Sequence, residues 1–104
     1  MLNISFEFRK GIFFVRFIGE LNKETYKQKE KELQKLILEN KFKYVVVNTN
    51  HIEKIDLDGL NYIIKIYYMT KENNTNLVIC DKFKIIKTLL NNNVPNIDDE
   101  LEVL

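Results

Sequence analysis

Residues Phe42 to Asn48 form a nearly unbroken apolar run, Phe-Lys-Tyr-Val-Val-Val-Asn, and it constrains the fold more than any other feature. A strand with one wet face alternates apolar and polar residues. A run this continuous belongs to a central strand covered on both faces, the usual state of a parallel sheet flanked by helices. It leads through a short polar loop into Ile55-Asp56-Leu57-Asp58-Gly59-Leu60 and then into a strongly apolar helix. The chain therefore reads as α/β.

The rest of the sequence fits around that unit. Ile4, Phe6 and Phe8 alternate with Ser5, Glu7 and Arg9, and Arg9-Lys10-Gly11 turns the chain into the aromatic and β-branched run Ile12 to Ile18, which predicts an N-terminal β-hairpin. Gly19-Glu20-Leu21-Asn22 ends it, with Asn22 placed to cap a helix from about Lys23 to Asn40 whose Tyr26, Leu33, Leu36 and Ile37 fall near one face. Leu77 to Cys80 reads as a second central strand, and Asp81 is placed to cap a third helix from Lys82 to about Leu90. Asn73-Asn74 and Asn91-Asn92-Asn93 read as loops, Pro95 stops the third helix, and Ile97 to Leu104 is a tail without an assigned structure. Residues 1–104 make one domain: a mixed sheet of a hairpin plus parallel strands, with flanking helices. Loops after parallel strands lie at the strand C-terminal ends, where α/β proteins place their functional groups, and Asp56 sits in such a loop.

Composition removes several function classes. Sixteen Lys and Arg against fifteen Asp and Glu leave a net charge of +1, so no global field draws in nucleic acid or anionic lipid. No apolar run approaches the roughly 18 residues of a membrane helix, and the N-terminus lacks the pattern of a leader peptide. The expectation is a cytoplasmic protein without membrane insertion and without a nucleic-acid partner. Cys80 is the only cysteine and reads as a small core residue. His51, the only histidine, reads as a solvated loop residue, because no companions for metal or triad chemistry stand near it in sequence. Ser5 lies in a strand with no base nearby, and Tyr67 and Tyr68 read as packing residues. A receiver-type phosphoryl or Mg²⁺ pocket around Asp56 and Asp58 lacks the acidic pair and the lysine it needs. No cofactor, metal or catalytic residue is expected, and the chain does not read as an enzyme.

Asp56 and Asp58 stand where a helix begins, and the exposed N–H groups and positive dipole end there favour an anion. Two readings are open: one or both aspartates only cap the helix, or Asp58 centres a recognition surface. The helix carries apolar surface on two sides. At 100° per residue, Leu60, Ile63, Ile64 and Tyr67 are assigned to the core. Tyr62, Ile66 and Met69 then form a second stripe, with Asp58 only about 20° from Met69 on the helical wheel. That stripe faces either a neighbouring helix or the surface of another protein.

These residues resemble the STAS domains of bacterial anti-sigma-factor antagonists over about Ile4 to Leu90. The resemblance rests on the hairpin, on Gly19-Glu20-Leu21-Asn22-Lys23-Glu24-Thr25 where the family has Gly-Glu-Leu-Asp-x-x-Thr, on Asp56-Leu57-Asp58-Gly59-Leu60 where it has Asp-Ser-Ser-Gly-Leu, and on Leu77-Val78-Ile79-Cys80. It implies a non-enzymatic regulator of transcription that captures an anti-sigma factor, usually a serine kinase, and loses that capture when a Ser or Thr in the central loop is phosphorylated. Asp58 aligns with the phosphoacceptor and Leu57 with the hydroxyl residue before it, so Ser/Thr control at this site is expected to be absent. Partner binding is expected at Asn22, Thr25, Asp56, Leu57 and Gly59 of the matched motifs, together with Tyr62, Ile66 and Met69 of the second helical stripe. A structural or adaptor subunit of a larger signalling or lipid-transport ATPase complex is the alternative. The family's final helix is missing before Leu104, which leaves that sheet edge open or covered by a second subunit in a homo-oligomer.

Overall fold

The computed structural model describes residues 1–90 and 94–104, except for the side chains of Lys87, Leu89 and Leu90. The loop expected at Asn91-Asn92-Asn93 lies outside the described residues. The elements run β1 (Leu2–Arg9), β2 (Ile12–Leu21), α1 (Lys23–Tyr26), α2 (Glu30–Glu39), β3 (Tyr44–Ile55), α3 (Leu57–Glu72), β4 (Asn76–Cys80), α4 (Ile85–Leu90) and β5 (Asn96–Ile97), followed by a 3₁₀ turn, Glu100–Val103. The five strands form one mixed sheet in the order β1-β2-β3-β4-β5. The hairpin pair β1 and β2 is antiparallel and the remaining neighbours are parallel.

Strand alternation divides the core into two layers. Phe13, Val15, Phe17, Val45, Val47, Leu77 and Ile79 meet the buried faces of the helices. Ile12, Phe14, Val46, Val78 and Cys80 point to the other face, where Tyr44, Ile97 and Val103 cover them. Val45, Val46 and Val47 are fully buried, as the apolar run required of a strand covered on both sides.

Four local expectations change. The helix expected from Lys23 to Asn40 is two helices separated at Lys27–Lys29, and α2 starts without a side-chain cap on Lys29. The break lets Tyr26 stack on Tyr62 at 4.3 Å while Leu33 and Ile37 enter the core. The loop expected around His51 is strand: β3 continues to Ile55 because β2 keeps pairing with it, Ile18 opposite His51 and Leu21 opposite Ile55, after β4 has ended at Cys80. The third helix begins at Ile85, not Lys82, although Asp81 does cap it by accepting a hydrogen bond from the Ile86 N–H at 2.6 Å. Beyond β4 the chain's own C-terminal segment takes the sheet edge through β5.

That segment is fastened by charge. Arg16, in the middle of β2, donates from Nε and Nη2 to the Glu100 carboxylate at 2.8 and 2.6 Å, and from Nη2 to Glu7 at 2.6 Å. Asn48 Nδ2 donates to Glu100 at 2.7 Å. The Arg16 hydrogen bond, reinforced by Asn48 against the cost of burial, holds the Glu100 carboxyl below the usual carboxylate range. An Asp99-x-x-Glu102 capping box closes the 3₁₀ turn.

Candidate functional site

The two sequence motifs meet at the C-terminal end of β3. Asn22 ends β2 and caps α1: its Oδ1 accepts from the Glu24 and Thr25 N–H groups at 3.0 and 3.1 Å. The Thr25 hydroxyl in turn accepts from the Asn22 N–H at 2.9 Å and donates to the Glu20 carbonyl at 2.8 Å. Asn22 Oδ1 and the Thr25 hydroxyl thus engage the local backbone and fix the turn between β2 and α1.

Asp56 does the same for α3. Its backbone is extended and its Oδ1 accepts from the Gly59 N–H at 2.8 Å. The Asp56 N–H reaches the Leu21 carbonyl at 3.4 Å, so the α3 entry lies directly against the Asn22 loop. Gly59 makes this approach possible: a Cβ there would overlap the Leu21 carbonyl oxygen and lie 2.8 Å from its carbon. Asp-x-x-Gly and Gly-Glu-Leu-Asn are therefore one construction, in which the glycine of one motif admits the backbone of the other.

With Asp56 engaged, Leu57 and Asp58 face solvent. Leu57 is 72% exposed, and Asp58 is exposed and makes no hydrogen bond or ion pair among the described residues. The first turn of α3 thus presents a bulky apolar side chain and an unengaged carboxylate side by side, on a backbone pinned from below. A shallow cleft of about 430 Å³ runs beside it, lined by Glu20, Leu21, Asn22, Lys54, Ile55 and Asp56. A smaller one of about 190 Å³ lies past Ile55, walled by Ile52, Phe83 and Ile85.

The assignment of the α3 faces changes in part: Ile63 is buried as expected, but the stripe expected on the other side is not the exposed one. Tyr62, Ile66 and Met69, expected on a partner-binding stripe, are 2%, 0% and 6% exposed and belong to the core. Leu60, Ile64 and Tyr67, expected inside, are only partly buried. Both stripes are apolar, so periodicity alone did not choose between them. Gly59 does: it must face the Leu21 backbone, and the positions that share its side of the wheel are Tyr62, Ile63, Ile66 and Thr70. Leu60 and Tyr67 pack partly against the core, and beside Leu57 on the wheel stand the partly buried Ile64 and the exposed Tyr68.

The described residues hold no group of three or more His, Cys, Asp or Glu able to bind a metal ion, and no helix long and apolar enough to cross a membrane. Burial raises the Cys80 thiol to about 11, which keeps it protonated. The first turn of α3 offers an exposed carboxylate and an apolar neighbour on a backbone held by the Asp56 cap.

Comparison with known proteins agrees with this geometry. Residues 3–95 match the STAS domain. A relative from Paenibacillus polymyxa, named an anti-sigma F factor antagonist, is 23% identical over 99% of this chain and 92% of its own length. The anti-sigma factor antagonist SpoIIAA in its unphosphorylated form superposes with a TM-score of 0.79 at 11% identity, covering 99% of this chain and 93% of that one. The phosphorylated form of the Bacillus cell fate determinant SpoIIAA gives 0.75 at 13% identity, covering 97% and 96%. With its hairpin, parallel strands and flanking helices in the arrangement of these structures, the chain belongs to the STAS domain family.

Proposed function

We propose that this chain is a non-enzymatic regulator of the anti-sigma-factor-antagonist type, acting in the cytoplasm, and that it docks one partner protein through the first turn of α3. Leu57 and Asp58 make the contact, the half-buried Leu60 and Ile64 extend it, and Asn22, Thr25, Asp56 and Gly59 hold it in place. The observation that carries this reading is the exposed, unengaged Asp58 on a turn whose other carboxylate is already used as the cap.

The resemblance to antagonists, one of them solved with and without phosphate, supports a surface whose state is set by charge. A phosphate group brings about −1.5 to −2 charge and three acceptor oxygens. Asp58 supplies −1 and two oxygens permanently. The partner of this chain therefore reads a constant anion, and Ser/Thr phosphorylation at this position plays no part in release.

The test is affinity purification from source cells with wild type, Asp58→Ser and Asp58→Ala, after unfolding curves confirm that all three fold. Recovery of one stoichiometric protein that changes by about tenfold between wild type and the variants, equivalent to about 1.4 kcal/mol, supports the reading. Equal recovery from all three would leave Asp58 as nothing more than a helix-terminal charge.

A further inference from the structure

The two edges of the sheet differ. At one, β5 is two residues long and leaves little backbone for another chain to pair with. At the other stands β1, eight residues without proline, whose register with β2 runs from Leu2 to Arg9 without a bulge. Edge strands ordinarily carry such a guard, because a row of unpaired N–H and C=O groups is a template for a further strand.

The register identifies the unpaired groups. Arg9 lies opposite Ile12 across the two-residue turn Lys10-Gly11, whose φ angles of 55° and 79° suit a hairpin loop. The pair closing such a turn exchanges hydrogen bonds, and so does every second pair beyond it. Arg9, Glu7, Ser5 and Asn3 therefore direct their backbone groups to β2. The far end keeps the same phase, since the Met1 carbonyl accepts from the Glu20 N–H at 3.1 Å. Leu2, Ile4, Phe6 and Phe8 turn their backbone groups outward, where among the described residues they make no other hydrogen bond. Side chains alternate with the backbone. Leu2, Ile4 and Phe6 join the helix-covered core, and Phe8, on the same side, leans on Phe42 at 5.6 Å yet stays 64% exposed.

We infer that β1 pairs antiparallel with β1 of a second copy of this chain, about a two-fold axis at Ser5, so that the two sheets become continuous. Outward groups must meet outward groups, which restricts self-pairing to registers that set Leu2, Ile4, Phe6 and Phe8 against one another. The register centred on Ser5 uses all four: Leu2 faces Phe8 of the second copy and Ile4 faces its Phe6. It also sets Glu7 opposite Asn3, whereas centring on Glu7 would place two carboxylates face to face. One face of the joined strands is then apolar across the axis and the other polar, and the exposed Phe8 ring gains Leu2 of the second copy as a neighbour. Such self-complementarity is what a two-fold interface requires. Lys29 Nζ, 5.2 Å from the centre of the Phe6 ring, swings aside, which weakens the pairing by about two- to fivefold. The contact uses no residue of the first turn of α3, so it stands apart from the docking surface proposed above.

Sedimentation of wild type between about 1 μM and about 1 mM is expected to show the mass doubling. Engineered cysteines read the register, because Cys80, the one native cysteine, is buried. Across the axis the two Ser5 positions form a non-hydrogen-bonded pair with Cα atoms about 4.5 Å apart, within disulfide reach. Oxidised Ser5→Cys is expected to run as a covalent dimer, and Asn3→Cys, which faces Glu7, as a monomer. Ser5→Glu sets two carboxylates across the axis while facing Arg16 within its own hairpin, and is expected to weaken dimerisation at least about tenfold. The cysteine variants keep the test decisive if Ser5→Glu unfolds the hairpin. A wild type that stays monomeric over that range, a Ser5→Cys chain that does not link, an Asn3→Cys chain that links as fast, or a dimer of folded Ser5→Glu as tight as wild type overturns the inference.

Discussion

Replacing Gly59 with alanine sets two effects against each other. In a helix interior the exchange ordinarily stabilises by about 1 kcal/mol, because glycine loses more backbone freedom on folding. Here the added methyl would overlap the Leu21 carbonyl oxygen and sit 2.8 Å from the carbonyl carbon and 3.0 Å from Leu21 Cγ. The obstacle is backbone at the end of a paired strand, which cannot rotate away as a side-chain tip would. Relief requires α3 to lift from the Asn22 loop, and overpacking of this kind costs about 1–3 kcal/mol, occasionally more. Lifting also strains the Asp56 cap on the Gly59 N–H, adding up to about 1 kcal/mol. The balance is a loss of about 2 kcal/mol. For a chain of 104 residues that corresponds to a Tm lowered by about 10 °C. Circular dichroism melts and urea titrations of wild type, Gly59→Ala and the exposed-helix control Asn61→Ala measure it, with the control expected at or slightly above wild type. If Gly59→Ala proved as stable as wild type, the two motifs would not be joined through Leu21, and the rotation of α3 would need another cause.

The two aspartates separate in the same assay: Asp56→Ala should cost about 1 kcal/mol through the lost cap, and Asp58→Ala no more than about 0.5 kcal/mol through the helix dipole. A larger loss from Asp58→Ala would contradict its lack of structural partners. Glu100 carries a pH dependence. Its carboxyl is depressed by Arg16, so its stabilisation is present above its ordinary value of 4.5 and is lost as pH falls through the lower folded value. Glu100→Gln should therefore lower stability at neutral pH and flatten its decline below that value, and an unchanged acid limb would remove Glu100 from the account. Tyr62 is buried with its hydroxyl unpartnered among the described residues. Tyr62→Phe should then be neutral or stabilising by up to about 1 kcal/mol in thermal unfolding, and a loss of stability would mean the hydroxyl has a partner after all.

Periodicity does not fix which face of α3 is buried. Leu60, Ile63, Ile64 and Tyr67 make as good an apolar stripe as Tyr62, Ile63, Ile66 and Met69, and a helix rich in apolar residues on both sides has no unique inward direction from periodicity. The deciding signals are Gly59 and Thr70, small residues that mark where a helix comes close to its neighbour. The polar stretch from Thr49 to Lys54 carries no apolar alternation that would mark it as strand. It is strand because β2 extends beside it, a non-local fact. Arg16 interrupts an apolar strand, and its partner Glu100 lies 84 residues away.

Local chemistry in the sequence alone determined that Val45-Val46-Val47 is a central strand, that residues from Ile4 to Ile18 form a hairpin, that Asn22 and Asp56 begin helices, and that Asp58 stands where a helix presents an anion. These follow from alternation, turn geometry and capping, which act over a few residues. Tertiary structure alone decided which side of α3 is buried, that Leu57 rather than Met69 accompanies Asp58 at the surface, and that Arg16 clamps Glu100. Each of these depends on segments brought together by sheet pairing, and strand pairing joins residues whose separation along the chain leaves no periodic trace.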